Sequence, residues 1–193
     1  VSQLFNDWDI KEIPTATFQQ LLEKILGGAR RKLAGQFATP VPLANLLVKL
    51  AIDNADLPVI DPCCGSGTIA QAAKLHKIGK GVSPADSLAT TWASDKFSYA
   101  LPLTTMALVD ATLMGNIIKV FKEDALTLAV GKGVAFTNPS SGKIEGHKLP
   151  EFSALASNLP FVRFEDNAKL NPNLKVIAKR IKEAFPESPL DIK

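Results

Sequence analysis

The chain has 193 residues, 46% of them hydrophobic and 21% charged, with a net charge of +3. That make-up suits one soluble globular domain with a real core and excludes a disordered, fibrous or collagen-like chain. No apolar run approaches the roughly 20 residues of a membrane helix, and so small a positive charge permits nucleic-acid contact without arguing for it.

The start, VSQLFNDWDI, is too acidic and polar for a secretory signal, and it opens on Val rather than Met, so a piece of a longer protein is expected. Thr15 or Thr17 caps an expected helix through FQQLLEKILGGARRKL, with Gly27 and Gly28 as breakers. In GQFATPVPLANLLVKLAI, Pro40 and Pro42 suit a first helical turn, and Leu43, Leu46, Leu47 and Leu50 recur at helical spacing. LPVID (Leu57 to Asp61) reads as a short buried strand, CCGSG as a glycine turn and TIAQAAKLH as a helix. Strand, glycine turn and helix in that order open a doubly wound α/β fold.

The pattern continues. GVSPADSLAT adds a short helix, TTWAS a second strand over Thr91 to Ser94, and FSYALPLTTMALVDATLMG a helix kinked at Pro102. NIIKVF (Asn116 to Phe121) is a third strand, VGKGVAFTNPSSGKIEGHKLPEF a loop or hairpin excursion, and SALAS (Ser153 to Ser157) a fourth strand. PNLKVIAKRIKEAF is a late helix, and no internal repeat or low-complexity tract is present. Adjacent Cys63 and Cys64 are poorly placed for a disulfide, and with only two His they make a weak metal set. The reading is a reduced, cytoplasmic protein without structural metal.

In open parallel sheets the ligand sits beyond the carboxyl ends of the strands, so chemistry is sought there. The four ends carry Asp61-Pro62-Cys63-Cys64-Gly65-Ser66-Gly67, then Asp95, then Glu123-Asp124-Ala125-Leu126, then Asn158-Leu159-Pro160-Phe161. A glycine turn, a lone Asp after a strand and an Asn-Leu-Pro-Phe turn each have a plainer reading as turn, cap or packed ring. Together, in order, they suit a nucleoside-bearing ligand. Gly65 and Gly67 lead into neither a G-x-G-x-x-G fingerprint nor a Walker lysine, which disfavours a dinucleotide or phosphate cradle. That makes a nicotinamide dehydrogenase the weakest reading, and His76 and His147 are taken as surface residues.

The segments GQFATP, VIDPCCGSG, SDK, KEDAL and SNLPFV, in that order, resemble the amino-methylating DNA methyltransferases that use S-adenosylmethionine. The likeness is greatest to modification subunits of restriction systems acting on adenine. It spans about Gly35 to Phe164 and is most specific in Asp-Pro-x-Cys-Gly-Ser-Gly and the Asn-x-Pro-Phe turn. It implies a Rossmann-like class I methyltransferase fold, a mostly parallel sheet with helices on both faces, over residues 35–193, preceded by a helical segment over 1–34. It also implies roles. Phe37, Thr39 and Pro40 match the segment that lines the cofactor and holds its methionine carboxylate, and Asp61, Gly65 and Gly67 match the loop beneath the methionine part. Asp95 matches the acceptor for both ribose hydroxyls, and Asp124 the acceptor for the adenine amine. Cys63, Ser66, Lys96 and Ala125 count with these neighbours, although Lys96 has the plainer reading of a solvated charge.

Asn158, Leu159, Pro160 and Phe161 match the catalytic turn. The target amine is a poor nucleophile because its lone pair is delocalised into the base. The Asn158 side-chain oxygen and a backbone carbonyl of the turn favour its tetrahedral, charge-developing form, and Phe161 offers a face to the flipped base. The implied partners are double-stranded DNA with its target adenine flipped out and a specificity or restriction subunit, with no membrane. The family has Pro where this chain has Leu159, and a rival turn exists at Asn138-Pro139, with Ser141 where an aromatic is needed. Asn158 is preferred because LPEFSALASNLPFV leads into it as a strand. Arg30, Arg31, Lys32, Lys175, Lys179, Arg180 and Lys182 are read as solvated helix faces rather than phosphate contacts. A protein glutamine methyltransferase and a non-catalytic methyltransferase-like subunit are the alternative functions.

Overall fold

The computed structural model describes residues 39–160 and 174–187. The expected amino-terminal helix, Phe37 and Phe161 lie outside the described residues. The elements run α1 (Val41–Ala51), β1 (Val59–Asp61), α2 (Thr68–Gly79), α3 (Pro84–Ala89), β2 (Thr91–Asp95), α4 (Ala100–Leu108), β3 (Lys119–Lys122), β4 (Gly133–Thr137), β5 (Ile144–Lys148), β6 (Ala154–Leu155) and α5 (Leu174–Ala184). Short 3-10 turns cover Ala111–Leu113 and Ala125–Thr127.

Among the described residues four strands form a parallel sheet in the order β3-β2-β1-β6, while β4 and β5 pair antiparallel as a separate hairpin. Chain order runs outward from β1 to β2 to β3, and the chain then returns to place β6 on the other side of β1. That reversal makes the boundary between β1 and β6 a topological switch point, the place where open parallel sheets take their ligands at the carboxyl ends. β1 and β2 are buried throughout, the continuous apolar pattern expected of parallel strands covered on both faces.

Alternate residues along each strand serve different cores. Val59 packs with Ala44, Val48, Ile69 and Ala73 of α1 and α2, and Ala93 with Ala70, Leu88 and Leu108 of α2, α3 and α4. On the other face Ile60, Trp92 and Phe121 meet Phe136 of β4 and Leu149, which follows β5. Trp92 stands edge-on to Phe121, Phe136 and Phe152 at centroid distances of 6.4, 5.7 and 5.9 Å, so the hairpin is pinned through its aromatic residue. Arg180 of α5 donates to the carbonyls of Leu126 and Leu128, at 2.9 and 3.5 Å, and Lys179 lies 3.8 Å from Glu183. Arg180 is exposed, as expected of a solvated helix face, and these two bonds tie its tip to the turn beyond β3.

Three differences from expectation have local causes. The strands are shorter than expected at their amino ends, because pairing to a neighbour begins only at Val59, Lys119 and Ala154. The helix expected to kink at Pro102 instead starts at Ala100, which puts Pro102 in the first turn, where its missing amide costs nothing. That helix ends at Leu108, and Asp110 starts the next turn by accepting from the Thr112 amide at 2.9 Å. His76 and His147 are half-buried rather than at the surface, with Nε2 enclosed and without a hydrogen-bond partner. Lys77, wholly buried on α2, donates to the Leu57 carbonyl at 2.6 Å and the Thr90 hydroxyl at 2.7 Å, tying together the segments that enter β1 and β2.

The turn between β1 and α2 depends on Gly67, which has φ +86° and would set a Cβ 2.7 Å from the Thr104 Cα of α4. Gly65 has φ +52° with open space where its Cβ would be. Gly67→Ala is expected to lower stability by about 3 kcal/mol, from strain plus overpacking, and Gly65→Ala by only ~1 kcal/mol. Urea unfolding of the two variants beside the parent measures the difference.

Candidate active site at the carboxyl edge of the sheet

Each strand of the parallel sheet delivers one polar group to the same edge. β1 ends in Asp61, which is 3% exposed, and its Oδ1 accepts from the Cys63 amide at 3.2 Å and the Ser157 hydroxyl at 2.8 Å. β2 ends in Asp95, also 3% exposed. One Asp95 oxygen accepts from the Gly65 amide at 3.0 Å and the other from the Phe97 amide at 2.8 Å. The glycine loop is thus drawn beneath the end of β2, an arrangement reinforced by the Cys64 amide donating to the Ser94 carbonyl at 2.9 Å. Thr104 of α4 holds the loop from below, its hydroxyl donating to the Gly65 carbonyl at 3.1 Å.

Beyond β3, Asp124 caps the turn over Ala125–Thr127, one oxygen accepting from the Leu126 amide and the other 3.1 Å from the Lys96 ammonium. Lys96 therefore bridges the ends of β2 and β3 rather than standing as a solvated charge. Glu123 belongs elsewhere, since Lys132 at the base of the hairpin pairs with it. Beyond β6 comes Asn158, half-buried, whose Nδ2 donates to the Thr39 hydroxyl at 3.2 Å. Thr39 stands just before α1, where the exposed Pro40 forms the amino cap. Leu159 is 60% exposed and Pro160 is exposed with it.

The rival Asn138 lies in the tip of the β4–β5 hairpin. Its side chain accepts from the Ser140 and Ser141 amides and donates to Glu145 at 2.6 Å, which makes it a turn-former. Asn158 instead follows the strand that pairs with β1, beside the switch point. Two contacts of the candidate site escaped sequence reading, those of Ser157 with Asp61 and Thr39 with Asn158. The only advance signal was that Ser157 is polar at the end of an apolar strand.

Burial sets the electrostatics of the edge. Desolvation pushes the Asp61 carboxyl up from 3.8 to about 7, against the bonds from Ser157 and Cys63, and the Asp95 charge adds to the rise. Burial raises Asp95 as well. The Cys63 thiol is pushed up to about 12 by burial and by the neighbouring carboxylates of Asp61 and Asp95, so it stays neutral and is no thiolate nucleophile. Buried Cys64 accepts from Thr104 and serves the core. Among the described residues no group of three or more His, Cys, Asp or Glu could hold a metal ion, and no helix is long and apolar enough to cross a membrane.

An edge whose carboxyl groups are raised by burial favours a ligand that carries positive charge and hydroxyl groups. It also has a signature in stability. Asp61 binds a proton in the folded chain up to about pH 7 that the unfolded chain releases near pH 3.8. Its contribution is therefore fully present below pH 3.8 and is lost as pH rises through about 7, with Asp95 acting in the same sense. Asp61→Asn keeps an acceptor for Ser157 and Cys63 and should flatten this decline. Urea unfolding at a series of pH values between these limits, parent against variant, tests it.

No curated protein matches the chain. The family model for N-6 DNA methylases matches residues 15–184, a span that includes every described site residue above. The chain belongs to the N-6 DNA methylase family, whose members are DNA methyltransferases.

Proposed function

We propose that the chain transfers a methyl group from S-adenosylmethionine to the exocyclic amine of adenine in double-stranded DNA, as the modification component of a restriction-modification system with a specificity or restriction subunit as partner. The observation that carries this reading is the convergence of Asp61, Asp95, Asp124 and Asn158 at the carboxyl ends of one parallel sheet, around a glycine loop whose Gly65 has open space where a Cβ would be.

The donor set fits the cofactor. Each Asp95 oxygen accepts one backbone amide and keeps lone-pair capacity for a ribose hydroxyl. Asp61, beneath the glycine loop with Gly65, Ser66 and Gly67, is poised to ionise beside a cation, which suits the methionine part. Asp124 accepts an adenine amine by sharing or exchanging its Lys96 partner. Thr39, Pro40, Cys63 and Ala125 line the same edge, as does Phe37 by resemblance. When bound, S-adenosylmethionine supplies a sulfonium methyl, already activated for transfer.

The chain's own part is to orient the amine and stabilise its developing charge. Asn158 accepts one amine hydrogen and the Leu159 carbonyl another, which favours the tetrahedral nitrogen over the flat ground state. Pro160 stiffens the turn, and Phe161 stacks on the flipped base. Leu159 where the family has Pro leaves the carbonyl less rigid and is expected to cost rate rather than binding.

Titration of the chain with S-adenosylmethionine should give saturable heat that is lost in Asp95→Ala, with NAD silent. Silence from the intact, folded chain would sink the cofactor assignment. Transfer of labelled methyl to unmethylated DNA should fall by about 100-fold or more in Asn158→Ala with cofactor affinity kept. Saturable binding with no transfer to DNA would instead make the chain a non-catalytic methyltransferase-like subunit.

A further inference from the structure

The Asn158 turn is held from two sides by groups that come from distant parts of the chain. The Asn158 Nδ2 donates to the Thr39 Oγ1 at 3.2 Å, and the preceding Ser157 Oγ donates to the Asp61 Oδ1 at 2.8 Å. Asp61 is itself fixed by the Cys63 amide, and the loop that follows is pinned to Ser94 and Asp95. The Ala156 amide donates to the Ile60 carbonyl at 3.1 Å, so the turn leaves the sheet from a defined height.

A primary amide carries donors on one arm and an acceptor on the other, and its terminal torsion is soft. Rotated by half a turn, Asn158 would present its NH2 to a target amine, donor against donor. The Thr39 hydroxyl fixes the plane of the amide, and in the arrangement observed, with Nδ2 on Thr39, the oxygen arm faces away from it. The Ser157 bond works on the backbone instead, holding the residue before Asn158 against the cofactor loop.

We propose that Thr39 and Ser157 are positioning residues for methyl transfer: Thr39 sets the orientation of the Asn158 amide, and Ser157 anchors its turn to Asp61. The inference rests on the reading of Asn158 as the acceptor for the target amine. It gives Thr39 a role different from holding the cofactor's carboxylate, and the two roles move different quantities. Loss of a cofactor contact raises the dissociation constant. Loss of amide orientation lowers the rate of the chemical step at saturating cofactor and leaves that constant alone.

The test compares the full chain with Thr39→Val, which keeps shape and removes the hydroxyl, Thr39→Ser, which restores it, and Ser157→Ala and Ser157→Thr. Three readouts are taken at a temperature where thermal melts show every variant folded. They are the calorimetric affinity for S-adenosylmethionine, the single-turnover rate of methyl transfer to unmethylated plasmid DNA, and the nitrogen-15 resonances of the Asn158 side-chain amide, assigned with Asn158→Asp. Thr39→Val should slow transfer by roughly 10- to 100-fold, with affinity kept within about twofold and the amide resonances displaced. Thr39→Ser should restore rate and resonances. Ser157→Ala should slow transfer in the same way and Ser157→Thr should recover it.

Weaker cofactor binding in Thr39→Val with an unchanged saturated rate would overturn the proposal and make Thr39 a cofactor ligand. Amide resonances indifferent to Thr39 would overturn it too. If the parent transfers no methyl to DNA, the methyl-transfer reading falls on its own, and the resonances still decide whether Thr39 holds the Asn158 amide.

Discussion

The hydrogen bond from the Gly65 amide to the Asp95 carboxylate joins the end of β1 to the end of β2, and much of the edge follows from it. For that amide to reach, the chain must turn sharply and pass close to α4, which Gly67 permits by having no Cβ where the Thr104 backbone lies. The same turn delivers the start of α2, so the helix that buries Ile69, Ala70 and Ala73 against the sheet is aimed by the loop that shapes the crevice. Stability and site geometry thus share one stretch of seven residues, Asp61 to Gly67. A change there cannot be assigned to one or the other without measuring both.

The three carboxylates at this edge are not equivalent. Asp124 is compensated by Lys96, and Asp95 is held by two backbone amides. Among the described residues Asp61 has bonds from neutral donors only and no ion pair, so desolvation dominates it. Burying such a group destabilises the empty chain, and a cationic ligand would remove part of that penalty. The fold therefore stores at Asp61 a preference for positive charge, while at Asp95 and Asp124 it stores geometry. This division suits a ligand whose charge sits at one end and whose hydroxyl and amine groups sit further along the sheet.

How much of this was legible in the sequence depended on the range of the interaction. The β1–loop–α2 unit could be read because glycine turn, apolar strand and helical period are local. The excursion between β3 and β6 was visible from its glycine, proline and serine content, and it is the β4–β5 hairpin. Asp61, Asp95, Asp124 and Asn158 could be placed on strand ends because parallel topology forces such residues to one edge. What failed was set by partners far away in sequence. The bond from the exposed Arg180 to the Leu126 carbonyl went unread because nothing in its own helix shows where that carbonyl lies. Pro102 was read as a kink because the start of α4 at Ala100 is fixed by packing rather than by a cap residue. Ser157 looked like an ordinary polar residue, and Thr39 was matched to the cofactor segment, but neither reading showed that folding brings Ser157 to Asp61 and Thr39 to Asn158.

The separation between those partners has an effect on the order of events when the protein is made. Thr39 and Asn158 are 119 positions apart, and Asp61 and Ser157 are 96 apart. During synthesis α1 and the β1, β2 and β3 layer can form their mutual contacts while β6 is still inside the ribosome, since contacts of short range close first. The crevice then exists for a time with only three of its four sides. Its last side arrives after the hairpin has been laid over Trp92, and only then does the amide of Asn158 find its place. A nascent chain therefore lacks the Asn158 side of this edge until β6 has emerged.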